Sequence, residues 1–158
     1  MRIEPYSGRF DDEIISLILS IQNDEAKIGL SLQEQPDLLD IHCSYQETGG
    51  EFWVALSDGK VIGTIGLMMQ EKHCAILKKF FVKKEFRSQK VGWALYQELL
   101  RFARGAGVRQ IVLDTPSVAH ASHRFYEKAG FCRIDPSELP IPYVYPDRNS
   151  RLYRLEVQ

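Results

Sequence analysis

Between Phe80 and Leu95 an apolar stretch, Phe80-Phe81-Val82, runs through the basic turn Lys83-Lys84-Glu85-Phe86-Arg87-Ser88-Gln89-Lys90 directly into Val91-Gly92-Trp93-Ala94-Leu95. From Val91 the apolar residues Leu95, Leu99 and Phe102 recur at helical spacing, which turns one stripe inward. A strand must therefore hand over to a helix across a short turn, with the first helical amides aimed outward. Those amides lack intrahelical partners and sit at the positive end of the macrodipole, so the turn predicts an anion cradle over Arg87 to Gly92. The plain alternative is a solvated charged turn, the commonest use of a short basic cluster. Lys83 and Lys84 fit that alternative better than Arg87 and Lys90 do.

The rest of the chain predicts one domain, residues 1–158, with enough apolar content (44%) for a single core. Twenty Lys and Arg nearly cancel 21 Asp and Glu, so no global field points to nucleic acid or an anionic membrane as partner. The apolar run Val61 to Met69 is too short to span a bilayer, and Met1 to Pro5 opens no signal-peptide pattern. Cys43, Cys74 and Cys132 are odd in number and far apart, which argues against a disulfide framework and for the cytoplasm. His42-Cys43 and His73-Cys74 lack the spacing of a zinc site, so no metal is expected and the thiols read as small buried residues.

Along the chain, Arg2 to Pro5 reads as an edge strand, Asp11 to Ala26 as a helix, and Asp37 to Ile41 as a short broken helix after Pro36. Ser31 and Glu34 have capping-box spacing. Phe52 to Leu56 and Val61 to Met69 flank Ser57-Asp58-Gly59-Lys60, a hairpin signal, and Cys74 to Val82 returns as a third antiparallel strand. After the helix Val91 to Arg104, Arg109 to Asp114 gives a buried strand that a helical crossover should set parallel to its neighbour. A helix Ala119 to Ala129, a strand Phe131 to Ile134 and a last strand around Tyr153, Leu155 and Val157 complete the pattern. Between the last two strands, Asp135 to Ser150 carries Pro136, Pro140, Pro142 and Pro146, which forbid a regular ladder. Tyr143 and Tyr145 in that loop either touch an acceptor or partner subunit or pack on the core.

The turn resembles the acetyl-CoA signature of the GNAT N-acetyltransferase superfamily, R/Q-x-x-G-x-G/A, which falls on Arg87, Lys90 and Gly92. Lys90 stands where the family has its first glycine; it either adds a charge to the phosphates, the favoured reading, or obstructs the loop. The resemblance continues through Ile111 to Asp114 and Ser122-His123-Arg124-Phe125-Tyr126-Glu127-Lys128-Ala129-Gly130-Phe131, and covers roughly half the chain. It implies an α+β GNAT fold: a mixed, mostly antiparallel central sheet flanked by helices, with a V-shaped split between the fourth and fifth strands. It further implies acetyl-CoA contacts from Phe80, Phe81, Val82, Arg87, Ser88, Gln89, Lys90, Val91, Gly92, Trp93 and Tyr126. Trp93 reads better as packing than as a stacking platform. A strand edge can pair with the amides of the pantetheine arm, while turn amides take the phosphates.

Acyl transfer needs a neutral amine, help for developing negative charge, and a proton for the leaving thiolate. Tyr126 matches the family tyrosine that protonates or hydrogen-bonds the cofactor sulfur; a packing tyrosine is the alternative. The base is open among Glu25, Glu34, Asp37, Glu71, His73 and Asp114, and His120, Ser122 and His123 read as cofactor contacts or as a polar helix face. Glu25, Glu34 or Asp37 lining the acceptor pocket would favour cationic acceptors, although such residues are more often simply solvated. Cys132, in an expected buried strand without an activating base, offers no acyl-enzyme route. The expected activity is direct transfer of acetyl from acetyl-CoA to a primary amine of a small molecule, amino acid or peptide. The alternative is a non-catalytic CoA-binding regulatory or interaction module; homodimerisation is open.

Overall fold

Asp58 and Gly59 take φ of 50° and 74°, the positive angles that a two-residue hairpin loop requires. In the computed structural model, which describes residues 1–145 and 149–158, this loop joins β2 (Glu51–Ser57) to β3 (Lys60–Met69). β1 (Arg2–Pro5) lies along the free side of β2, and β4 (Cys74–Val82) continues the antiparallel meander. The crossover helix α2 (Val91–Gly105) then delivers β5 (Gln110–Pro116) parallel to β4, as expected for a helical connection. After α3 (His120–Lys128) come β6 (Cys132–Ile134) and β7 (Ser150–Glu156), and β7 inserts between β5 and β6. The order is β1-β2-β3-β4-β5-β7-β6, with β4–β5 the single parallel pair among the described residues.

Strand alternation divides the side chains between two faces. Ala75, Leu77, Ile111 and Leu113 share a core with Val91, Leu95 and Leu99 of α2 and Tyr126 of α3. Leu95 and Leu99 are fully buried, so truncating either to Ala costs about 2–5 kcal/mol. On the other face Phe52, Val54 and Val61 pack under Ile14, Ile18, Leu38 and Tyr45 of the N-terminal segment. Further along that face Cys74, Ile76 and Val112 are covered by Ile141 and Tyr143 of the Pro-rich loop. Tyr143 therefore packs.

The N-terminal helix departs from expectation. α1 (Asp11–Leu19) gives way to a π-helical turn, Ser20–Glu25, in which Ala26 N–H reaches Ile21 O. The wider turn carries Gln22 inward, where its amide exchanges hydrogen bonds of 2.9 and 2.8 Å with Gln35. Ser31 and Glu34 make the reciprocal capping bonds, at 3.1 and 3.3 Å, without a regular helix behind them. The expected helix Asp37 to Ile41 is instead a 3-10 turn, Pro36–Leu39, followed by a π turn, His42–Gln46.

Pro136 opens a 3-10 turn, Pro136–Glu138, capped by Asp135, while Pro146 lies outside the described residues. Two thiols also differ from expectation: Cys74 is buried, but Cys43 and Cys132 are exposed. β6 is a three-residue edge strand, and Phe131 just before it and Ile134 at its end supply the inward side chains. Among the described residues no helix is long and apolar enough to cross a membrane.

Candidate functional site

β4 and β5 pair only at Cys74 with Gln110, Ala75 with Ile111, and Ile76 with Val112. Beyond that rung β5 stays hydrogen-bonded to β7 as far as Pro116, while β4 stays with β3 as far as Val82. The two strands are thus held by different neighbours and must diverge, leaving the β4 edge from Leu77 to Val82 without a β5 partner. Lys79 reinforces the divergence. Its φ is 55°, the β3–β4 register shifts between Thr64 and Gly66, and Thr64 Oγ1 donates to Lys79 O at 2.7 Å. Such a bulge bends its strand and re-aims the side chains that follow.

At the end of β4 the chain enters a 3-10 turn, Lys84–Gln89, and Lys90 closes it at φ 60°, ψ 22°. Lys90 therefore adopts the left-handed conformation that a glycine takes without strain, so the missing glycine does not prevent the turn from forming. No side chain caps α2, and its first intrahelical bond is Ala94 N–H to Lys90 O at 3.1 Å. Arg87, Ser88, Gln89 and Lys90 are exposed, whereas the Val91 side chain is buried and offers only its backbone. A Cβ on Gly92 would stand 3.5 Å from the Phe80 ring, an ordinary contact, so the helix start rests on that aromatic.

Phe80, Trp93, Phe125 and Tyr126 form one aromatic group, with Phe80 to Phe125 at 5.1 Å and Trp93 to Phe125 at 5.0 Å between centroids. Trp93 thus packs, in line with its reading from sequence. Phe81 points to the opposite face, against the N-terminal segment. Arg87 Nε donates to Val82 O at 2.9 Å, and its guanidinium pairs with Glu25 at 2.8 Å.

Tyr126 is buried in α3, 6.2 Å from Phe80 and 6.0 Å from Tyr153 between ring centroids. Its phenol makes no hydrogen bond among the described residues, and burial, then the Asp114 charge, push its pKa up. It is neutral at physiological pH and holds a proton to give. His123 is committed elsewhere: its Nε2 lies 2.8 Å from Pro116 O, and burial lowers its pKa. His120 is exposed.

Across the sheet from Tyr126, Lys79 Nζ lies 3.6 Å from Asp37 Oδ2, and Tyr45 OH donates to the same carboxylate oxygen at 2.6 Å. Burial lowers the Lys79 pKa, with Asp37 opposing. Asp114 is raised by burial, with Lys78 and Lys79 opposing. Sequence reasoning did not single out Lys78 and Lys79; the signal that does so is two cations interrupting an apolar strand.

The six acid and base candidates separate clearly. Glu71 and His73 sit in the β3–β4 turn, at the closed end of the β4–β5 pair. Glu25 binds Arg87, Glu34 binds Ser31, and Asp37 binds Lys79 and Tyr45, so none of these three is a free acidic lining. Asp114 alone stands at the split. Among the described residues no group of three or more His, Cys, Asp or Glu side chains is arranged to hold a metal ion.

The fold has close counterparts. A crystal structure of an acetyltransferase of the GNAT family from Staphylococcus aureus Mu50 superposes with a TM-score of 0.96 at 32% identity, covering 99% of each chain. An acetyltransferase from Streptococcus agalactiae gives 0.95 at 38% identity, covering 98% of this chain and 97% of that one. A probable N-acetyltransferase, camello, of Xenopus tropicalis is 31% identical over 126 residues, which is 77% of this chain and 58% of that protein. The chain thus spans little more than half the length of that relative. Residues 15–131 match the Acetyltransferase (GNAT) family, a stretch that contains the split, the Lys90 turn and Tyr126. With one continuous fold shared end to end and most of the chain matched, the protein belongs to the GNAT family of acetyltransferases.

Proposed function

We propose that residues 1–158 form one N-acetyltransferase domain that moves acetyl from acetyl-CoA directly to a primary amine of a small molecule, amino acid or peptide. The observation that carries this reading is the opening of β4 from β5 beyond Ile76 and Val112, directly before an uncapped helix start. An unpaired strand edge suits an arm bearing amides, and free helix amides beside exposed Arg87 and Lys90 suit phosphates. When bound, acetyl-CoA supplies an activated acyl thioester.

The chain's residues have distinct tasks. The Phe80 to Val82 edge orients the arm, and the Arg87 to Trp93 segment anchors its phosphate end through backbone amides and the Arg87 and Lys90 charges. Tyr126, neutral and buried beside the split, keeps its proton and is placed to donate a hydrogen bond to the sulfur as charge develops there, the proton passing over as the thiolate departs. Asp114, at the same opening, is placed to orient the amine and take the proton it sheds. The balance is simple: the C–N bond forms, the C–S bond breaks, the amine loses one proton and the sulfur gains one.

A non-catalytic CoA-binding module drew its support from Lys90 and from the missing base. Lys90 takes the conformation the turn needs, and Asp114 offers a base, so no structural observation favours that second reading. The three free cysteines support a reducing, cytoplasmic setting. The test is an amine panel incubated with acetyl-CoA and read by mass spectrometry for acetylated product. Acetyl-CoA-dependent product supports the enzyme; binding of acetyl-CoA without product from any amine would favour the module.

A further inference from the structure

The last β4–β5 rung is Ile76 with Val112. Two residues further along each strand, and therefore on the same face, come Lys78 and Asp114. In a closed parallel pair they would be the next cross-strand neighbours and would meet. Here the strands have already begun to part, so the two charges act on each other without forming an ion pair within 4.0 Å. The opening has a cation on one wall and an anion on the other.

The surroundings of this rung are specific. Its floor is the apolar rung of Cys74, Ile76 and Val112, roofed by Ile141 and Tyr143. The Tyr143 hydroxyl is buried, finds no hydrogen-bond partner among the described residues, and lies within electrostatic reach of Asp114. On the far side Lys79 is already compensated by Asp37, which also holds Tyr45. Lys78 is thus the cation of the cluster that makes no ion pair within 4.0 Å among the described residues.

We propose that Lys78 and Asp114 together select the acceptor, and that it is a small α-amino acid: its amine is held at Asp114, its carboxylate at Lys78. The inference rests on the acetyltransferase reading and names its acceptor class. A zwitterion places opposite charges a few ångströms apart, matching the separated pair in sign. A diamine or polyamine would bring a second positive charge against Lys78 and Lys79, and such a like-charge approach disfavours it. The acids first expected to attract a cationic acceptor, Glu25, Glu34 and Asp37, are engaged by Arg87, Ser31 and Lys79.

The test offers the protein acetyl-CoA with a mixture of α-amino acids, the matching α-carboxamides, and linear diamines, and quantifies acetylated products by mass spectrometry. Products from the acids should exceed those from their carboxamides by at least about 10-fold, the discrimination expected from one lost charged contact. Lys78→Met should remove that preference while leaving the acetyl-CoA dissociation constant, measured by calorimetry, unchanged. Equal or greater use of carboxamides or diamines overturns the inference, as does failure of all the acids. Acetylated carboxamide or diamine confines the failure to this inference, whereas acetyl-CoA binding without product from any amine, or no binding by folded protein, shows that the underlying acetyltransferase reading has failed.

Discussion

Arg87 holds Glu25 through two guanidinium nitrogens, at 2.8 and 3.1 Å, although the two residues lie 62 positions apart. The side chain placed by its motif at the phosphate end of the cofactor is thus already bonded to a carboxylate at the end of the π-helical turn. A phosphate arriving at the turn must share or displace that carboxylate. The N-terminal segment and the turn before α2 are tied by this contact.

Glu25→Gln should therefore tighten CoA binding. Both partners are partly exposed, so the pair contributes up to about 1 kcal/mol and the gain is at most about fivefold at low salt. Calorimetric titration of CoA into both proteins checks this, and a weaker variant would mean that Glu25 orients Arg87 for the phosphates instead of competing with them.

Lys90 stands at φ 60°, where a non-glycine residue is strained. Lys90→Gly should raise unfolding stability by about 1 kcal/mol, read from the urea midpoint. If the Lys90 charge also meets phosphate, the same variant binds CoA more weakly despite being more stable. The two effects have opposite signs, which separates the backbone role from the charge.

Tyr126→Phe removes a phenol that makes no hydrogen bond among the described residues while keeping a ring packed near Phe80, Phe131 and Tyr153. Turnover should fall by about 100-fold with the CoA dissociation constant unchanged. A variant with full turnover would reduce Tyr126 to a packing residue.

Burial raises the Asp114 pKa above its ordinary carboxylate value, so the folded protein holds that proton more tightly than the unfolded chain. The stabilising contribution is present below the unfolded value near 3.9 and is lost as pH rises through the raised folded value. Asp114→Asn escapes that loss. Its stability relative to the parent should improve between pH 4 and pH 7, as urea midpoints across that range will show; a constant difference would contradict the assignment.

What could be read from sequence, and what could not, follows the range of the interactions involved. The Asp58-Gly59 hairpin, the Cys74–Val82 strand and the Val91 helix rest on local chemistry, such as turn angles, alternation and a 3.6-residue period, and the structure reproduces them. The π-helical turn depends on Gln22 meeting Gln35, and the β4 bulge on Thr64 meeting the Lys79 carbonyl. Neither partner is visible in a local window. The motif located Tyr126 and the turn, but motifs describe what a family shares. Lys78 and Lys79 lie outside the motifs, and only the diverging register of β4 and β5 brings them into one opening with Asp114. Cys132 was misassigned because a three-residue edge strand is too short for alternation to decide which side chain turns inward.

The most direct test of the central claim is a calorimetric titration of acetyl-CoA into the folded protein, with dephospho-CoA alongside. The account predicts saturable binding at one site per chain. Folded protein that takes up no acetyl-CoA would mean that the β4–β5 opening and the Lys90 turn do not form a cofactor site, and would contradict the proposed acetyltransferase activity.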